Sequence, residues 1–122
     1  MAKIVFIFCM AFFSLWGENH VDEHLLQKAC LSCHAQQQIP SEIIYRRYLL
    51  KYSSTSVIRQ KIYAYLKAPS TQASIMPKPF FRKFPLKEPS ELDDKTLQKL
   101  IDAYVDLYDV RMKIYVVPEK TD

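Results

Sequence analysis

Apolar residues recur along this chain at helical intervals, and no apolar and polar alternation runs long enough to predict a strand. Leu25 and Leu26 mark a first helix over 21–29. Between 41 and 52, Ile44, Tyr48 and Leu49 share one face while Arg46, Arg47 and Lys51 lie on another, which predicts an amphipathic helix with Ser41 as its N-cap. Ile58, Ile62, Tyr65 and Leu66 recur at i, i+4, i+7 and i+8 and predict a third helix, capped by Thr55 or Ser56 and ended before Pro69. The last helix opens on Asp93 as N-cap and runs to about 108, with 110–115 as a possible extension. It carries Leu97, Leu100, Ile101, Tyr104 and Tyr108 on its buried stripe and Lys95, Lys99, Asp102, Asp106 and Asp109 opposite.

Two stretches break the helical pattern. Residues 36–40 are a short polar loop, and 69–90 hold Pro69, Pro77, Pro79, Pro85 and Pro89, which withhold the backbone donors that regular structure needs. The second stretch also carries Ile75, Met76, Phe80, Phe81, Phe84 and Leu86, too much apolar surface to leave in water, so it predicts an ordered loop packed on the body of the protein. Residues 118–122 read as a frayed tail. The expected architecture is all-α, a bundle of short helices, with neither an internal repeat nor a second domain.

The first seventeen residues change the picture of where this bundle works. Lys3 supplies a short positive region and 4–13 form an apolar run of ten, the pattern of a secretory leader, shorter than the roughly twenty residues of a spanning helix. Cleavage is expected near Gly17, and an uncleaved anchor stays open because Leu15 stands where a small residue is usual. The expected domains are therefore a leader over 1–17 and one folded unit over 18–122, placed in the periplasm. The single glycine is Gly17, so helices in the folded unit must end on proline or polar residues instead of a glycine C-cap.

Cys30, Leu31, Ser32, Cys33 and His34 form C-x-x-C-H, the attachment signature of c-type haem. Two thiols one short turn apart can each form a thioether to a haem vinyl group, and a histidine directly after the second can lie under the iron as proximal ligand. Two other readings compete. Half of a zinc site would need a second ligand pair at finger-like spacing, and only Cys9, His20 and His24 are at hand. A thioredoxin-like dithiol would want a βαβ context, which the helical surroundings do not offer. For a distal ligand the folded unit offers Met76, on the proline-stiffened loop, and Met112, on or beyond the last helix, where packing is its more ordinary role. His20 and His24 could ligate in principle, although such a pair on a short polar helix is more often solvated.

With the motif near the N-terminus, a short helix before it, a Met-Pro pair late in the chain and an amphipathic last helix, the sequence resembles the class I monohaem c-type cytochromes of exported bacterial proteins. The resemblance implies a bundle of short helices wrapped around one covalent haem c, with Cys30 and Cys33 as thioether ligands and His34 and Met76 as the axial iron ligands. It also implies that the first helix crosses the last at Tyr104, and that a proline carbonyl receives the proximal imidazole N–H, a role that falls to Pro40. Tyr45, Arg46, Arg47 and Tyr48 could reach haem propionates, since arginine pairs readily with carboxylates; otherwise they are an ordinary helix face and core.

Charge bears on partners. The whole chain is +4, but between 42 and 87 ten Lys or Arg stand against the single acid Glu42, and acids gather after Glu88. Such asymmetry can steer a haem edge toward an acidic docking face on a redox partner, or it can be a solvated surface of no special use. Nucleic acid is not expected, because an exported chain rarely meets it. The function so implied is periplasmic electron transfer without bond chemistry, in a monomer or a subunit of a heteromeric complex. Two alternatives stay open: a haem subunit held on a periplasmic oxidoreductase through Phe80, Phe81 and Phe84, and a haem-based sensor or small-ligand binder.

Overall fold

The computed structural model describes residues 23–114, and every regular element among them is helical. The leader over 1–17 with Cys9, together with His20 and the tail over 118–122, lies outside the described residues. The described residues open with a helical run in three pieces: α1 over Glu23–Leu26, a π-helical turn over Gln27–Leu31, and α2 over Ser32–Gln36. It continues with α3 over Ser41–Tyr52, α4 over Thr55–Lys67, α5 over Phe80–Lys83 and α6 over Asp94–Tyr108. A 3-10 turn over Val110–Lys113 follows α6 instead of an extension of it. No helix of the described residues is long and apolar enough to cross a membrane.

The core is the meeting of α3, α4 and α6, with α1 packed against α6. Ile44, Tyr45 and Tyr48 of α3, Ile58 and Ile62 of α4, and Leu97, Leu100, Ile101, Tyr104 and Val105 of α6 are all buried, and Leu26 joins them from α1. The stripes follow from the 3.6-residue period, which returns one face of each helix to the same side. Tyr45 extends the α3 stripe toward α6, where its ring meets that of Tyr104 edge-on at 6.2 Å.

The ends of the helices show how the described residues, none of which is glycine, manage. The C-cap of α3 is Ser53 in the left-handed region (φ 59°), and Gln38, just past α2, has φ 56°. Each such residue costs about 1–2 kcal/mol relative to glycine there. At Ser53 the cost is offset by a clamp, because Arg111 Nη1 donates to the Ser53 carbonyl at 2.6 Å. Arg111 is itself oriented by Asp109, whose buried carboxylate accepts from its Nε and Nη2, both at 3.0 Å. The 3-10 turn after α6 is thereby fastened to the end of α3. Side-chain hydrogen bonds from Arg111 hold the Asp109 carboxyl below the usual carboxylate range.

The start of α6 is as the sequence predicts, with Asp93 accepting from the Thr96 N–H at 3.0 Å. The start of α3 is not. Pro40 is the N-cap residue and no side chain caps it, while Ser41 is the first helical residue and directs its hydroxyl elsewhere.

Candidate functional site

The helical frame and the proline-rich loop enclose a cavity of about 440 Å³. Its lining includes Cys30, Cys33, His34 and Met76, so the four residues singled out as haem ligands come to one place from positions up to 46 apart in sequence. Most of the remaining wall is apolar or aromatic, including Ile62, Leu66, Ile75, Phe80, Phe81 and Ile101. Lys87 and Glu88 are exposed residues that also contribute to the lining.

Cys30 lies on the π turn and Cys33 and His34 lie on α2, in one continuous helical run. In the π turn the Ser32 N–H reaches the carbonyl of Gln27. The Ser32 hydroxyl bonds back to the Lys28 carbonyl at 2.8 Å. A π turn takes in one residue more than an α turn, a distortion common at functional sites. The two thiols are not joined in a disulfide; Cys30 is half-buried and Cys33 exposed. Burial pushes the Cys30 thiol up, while the Lys87 ammonium pulls it down. Burial pushes the His34 imidazole down, which favours the neutral ring that a metal ligand requires.

Met76 is placed by two serines. The Ser74 hydroxyl accepts from the Met76 N–H at 3.1 Å, and the Ser70 hydroxyl accepts from the Ala73 N–H at 3.0 Å. Ser74 is buried and its own N–H donates to the Ser70 carbonyl at 3.0 Å. After Met76 the chain turns at Pro77 and Pro79 into α5, and the Ser90 N–H returns to the Leu66 carbonyl at 2.8 Å, tying the end of the loop to α4. Met112 falls in the 3-10 turn after α6, apart from this loop in the chain.

Of the residues expected around a haem, Tyr48 lines the cavity, whereas Pro40, Tyr45 and Arg47 do not. Helix phase explains the split. Ile44 and Tyr48, four residues apart, face the cavity; Tyr45 is one step round and fully buried toward α6, and Arg47 is on the exposed side. The Pro40 carbonyl instead accepts from the N–H groups of Ile43 and Ile44 at the start of α3, at 3.0 and 3.3 Å. His34 Nδ1 lies 2.7 Å from the Ser41 hydroxyl. Sequence reading missed that contact because Ser41 ahead of an amphipathic run reads as an N-cap. The Tyr104 hydroxyl donates to the Ser41 carbonyl at 3.2 Å, and its ring meets His34 edge-on at 6.1 Å.

The aromatic loop is also redistributed. Phe80 and Phe81 belong to the cavity wall, and Phe80 packs on Phe81 and Phe84 with centroids 5.4 and 4.8 Å apart. All three are half-buried, which leaves less aromatic surface for an outside partner than the sequence predicts. The basic region is trimmed as well. Arg59 pairs with Asp102 and Asp106 at 2.8 and 3.1 Å, and Lys67 with Asp94 at 2.7 Å, so acids of α6 answer two of its ten cations.

Among the described residues no three of His, Cys, Asp and Glu are grouped so as to hold a bare metal ion. The donors that do share the cavity are of another kind: two thiols, an imidazole and a thioether in an apolar chamber. That set suits a flat, apolar macrocycle carrying its own iron. Compared with known protein families, with curated proteins and with solved structures, the chain matches none.

Proposed function

We propose that this protein is an exported, periplasmic electron carrier of one covalent haem c, which Cys30 and Cys33 would attach through thioethers and whose iron His34 and Met76 would ligate. The observation that carries the proposal is the convergence of those four side chains on one largely apolar cavity. When bound, the haem supplies a one-electron couple between ferric and ferrous iron.

The chain's own residues account for the rest. The cysteines fix the cofactor to the helical run, and the neutral imidazole of His34 offers a lone pair on one side. Met76 presents a soft sulfur that favours the ferrous state and so raises the potential. Ile62, Leu66, Phe80 and Ile101 exclude water from the lining, which lowers the local dielectric and disfavours the extra positive charge of the ferric form. Tyr48 and Tyr104 keep their phenol protons, because burial pushes both groups far up, and therefore add no charge.

The test is direct. After export in a host that matures c-type cytochromes, the protein is expected to stain for haem on a denaturing gel and to show the weak far-red ferric absorption of sulfur ligation. Cys30→Ala with Cys33→Ala is expected to abolish the stain and each single change to weaken it. A double variant that still stains, or an unaltered protein that never does, removes this function.

A further inference from the structure

We infer that the Ser41 hydroxyl is the group that orients His34 and sets its donor strength, making Ser41 a positioning residue through which a side chain adjusts the reduction potential. The inference rests on the haem reading above. It starts from the 2.7 Å separation between His34 Nδ1 and Ser41 Oγ. An imidazole has two nitrogens, and the one that donates its proton to a neighbour leaves the other with a free lone pair for metal. With Nδ1–H donated to Ser41, the lone pair belongs to Nε2.

The surroundings leave the hydroxyl as the acceptor that the fold provides. The Pro40 carbonyl is engaged by the N–H groups of Ile43 and Ile44, and the carbonyl of His34 itself is taken by the Ile39 N–H at 3.3 Å. Ser41 is buried, 6 % exposed, so water does not readily replace it. Its backbone is fixed twice, as the first residue of the twelve-residue α3 and as acceptor of the Tyr104 hydroxyl. The Tyr104 ring then closes on the edge of His34. Three elements, α2, α3 and α6, thus converge on the angle of one imidazole.

A hydroxyl and a backbone carbonyl differ in a way that can be tested. An acceptor on Nδ1–H makes the imidazole a stronger donor, which favours ferric iron. A carbonyl cannot be removed by changing a side chain, but Ser41→Ala removes this acceptor. The ferrous form should gain and the potential should rise.

The experiment is potentiometric titration of the exported holoprotein and of Ser41→Ala, Ser41→Thr and Tyr104→Phe, with the far-red sulfur band recorded to show that Met76 stays bound. Ser41→Ala is expected to raise the ferrous to ferric ratio at a fixed potential by about tenfold, which is about 59 mV for one electron. Ser41→Thr, which keeps a hydroxyl, is expected to stay within about twofold, well inside the order of magnitude typical of such outer contacts. Tyr104→Phe keeps the ring and loosens Ser41, and is expected to move the potential the same way by less.

Equal shifts from Ala and Thr would show that Ser41 only packs, and no shift from Ala would show that another group orients His34; either overturns the inference while leaving the haem reading intact. If Ser41→Ala does not mature, Tyr104→Phe decides, and an unchanged potential there overturns it. An unaltered protein without covalent haem fails at the first step and removes both readings together.

Discussion

The helical stretch of cavity wall and the loop stretch are held in place by different means. Cys30, Cys33 and His34 ride on a helical run whose first turn buries Leu26 against α6 and whose last turn is joined to α3 through Ser41. Met76 sits on a segment whose order comes from serine-centred turns at Ser70 and Ser74, from the ring-locked φ of Pro77 and Pro79, and from the return of Ser90 to Leu66. The first stretch reaches into the core through buried Leu26; the second touches the core only through half-buried Ile75 and Met76 and leans otherwise on a few hydrogen bonds, each worth about 1 kcal/mol net. Stability should therefore reside in the frame and adjustability in the loop.

The largest effect is expected in the core. Leu100 is 1 % exposed at the centre of the α6 stripe, and Leu100→Ala is expected to cost about 2–5 kcal/mol in denaturant unfolding, through lost burial and the cavity left behind. Met76→Ala should cost less than half as much, because its side chain is only half-buried. Its signature should be chemical: loss of sulfur absorption, a lower reduction potential and carbon monoxide binding to the ferrous haem. If Met76→Ala destabilises as much as Leu100→Ala, the loop is part of the frame. If Met112→Ala gives the spectral change instead, the distal ligand is misassigned.

A smaller effect is expected at the outer end of the frame. Arg111 holds the Asp109 carboxyl below its ordinary value. A depressed carboxyl stabilises the fold above its ordinary pKa, and this contribution is lost as pH falls through the lower value of the folded state. Thermal midpoints of the parent should drop on acidification through that window, and Asp109→Asn should start lower and show a shallower acid fall. Parallel curves would mean that the clamp adds no stability.

The smallest effect is expected at the surface. Lys78, Arg82 and Lys83 flank or form α5 beside the Met76 loop and are exposed, as are Lys95 and Lys99 on α6. If the loop side meets an acidic redox partner, reversing the first set should slow electron transfer more than reversing the second. The difference should fade as salt rises, since the Debye length contracts from about 30 Å at 0.01 M to about 8 Å at 0.15 M. Equal losses, or rates indifferent to salt, would place docking on an uncharged face.

How much of this was legible in the sequence also divides along the two stretches. The start of α6 was readable because Asp93 is a local signal, and the end of α3 at Tyr52 and the buried stripes of both helices because helical period is local too, whereas the cap of α3 was misplaced by one residue. The expectation that helices end on polar residues or proline is met by the C-caps Gln37 of α2 and Ser53 of α3, while the C-caps of α4 and α5, Ala68 and Phe84, are apolar residues standing directly before Pro69 and Pro85. What the sequence hid depends on how the chain turns back on itself. The contact of Ser41 with His34 requires the turn at Gln38 to bring α3 back on α2, and the use of Arg111 requires the end of α3. The four-residue α5 was hidden by its setting, since the prolines around Phe80 argue against a helix until Pro79 is seen to sit at its N-cap position with helical φ.

The π turn over Gln27–Leu31 has a consequence for the permitted lengths of this chain. A turn that holds one surplus residue is a place where one residue can be lost. Removing Lys28, which is exposed, would let the run relax to plain α-helix while Leu26 on one side and the C-x-x-C-H stretch on the other keep their facing. The same one-residue loss between Cys30 and Cys33 would shorten the spacing of the two thiols and turn one against the other by about 100° around the helix axis, whatever the π turn absorbs. Shortened proteins of the two kinds, compared by haem stain after export, should differ as retained and lost, so descent could trim this segment ahead of the first cysteine but not beyond it.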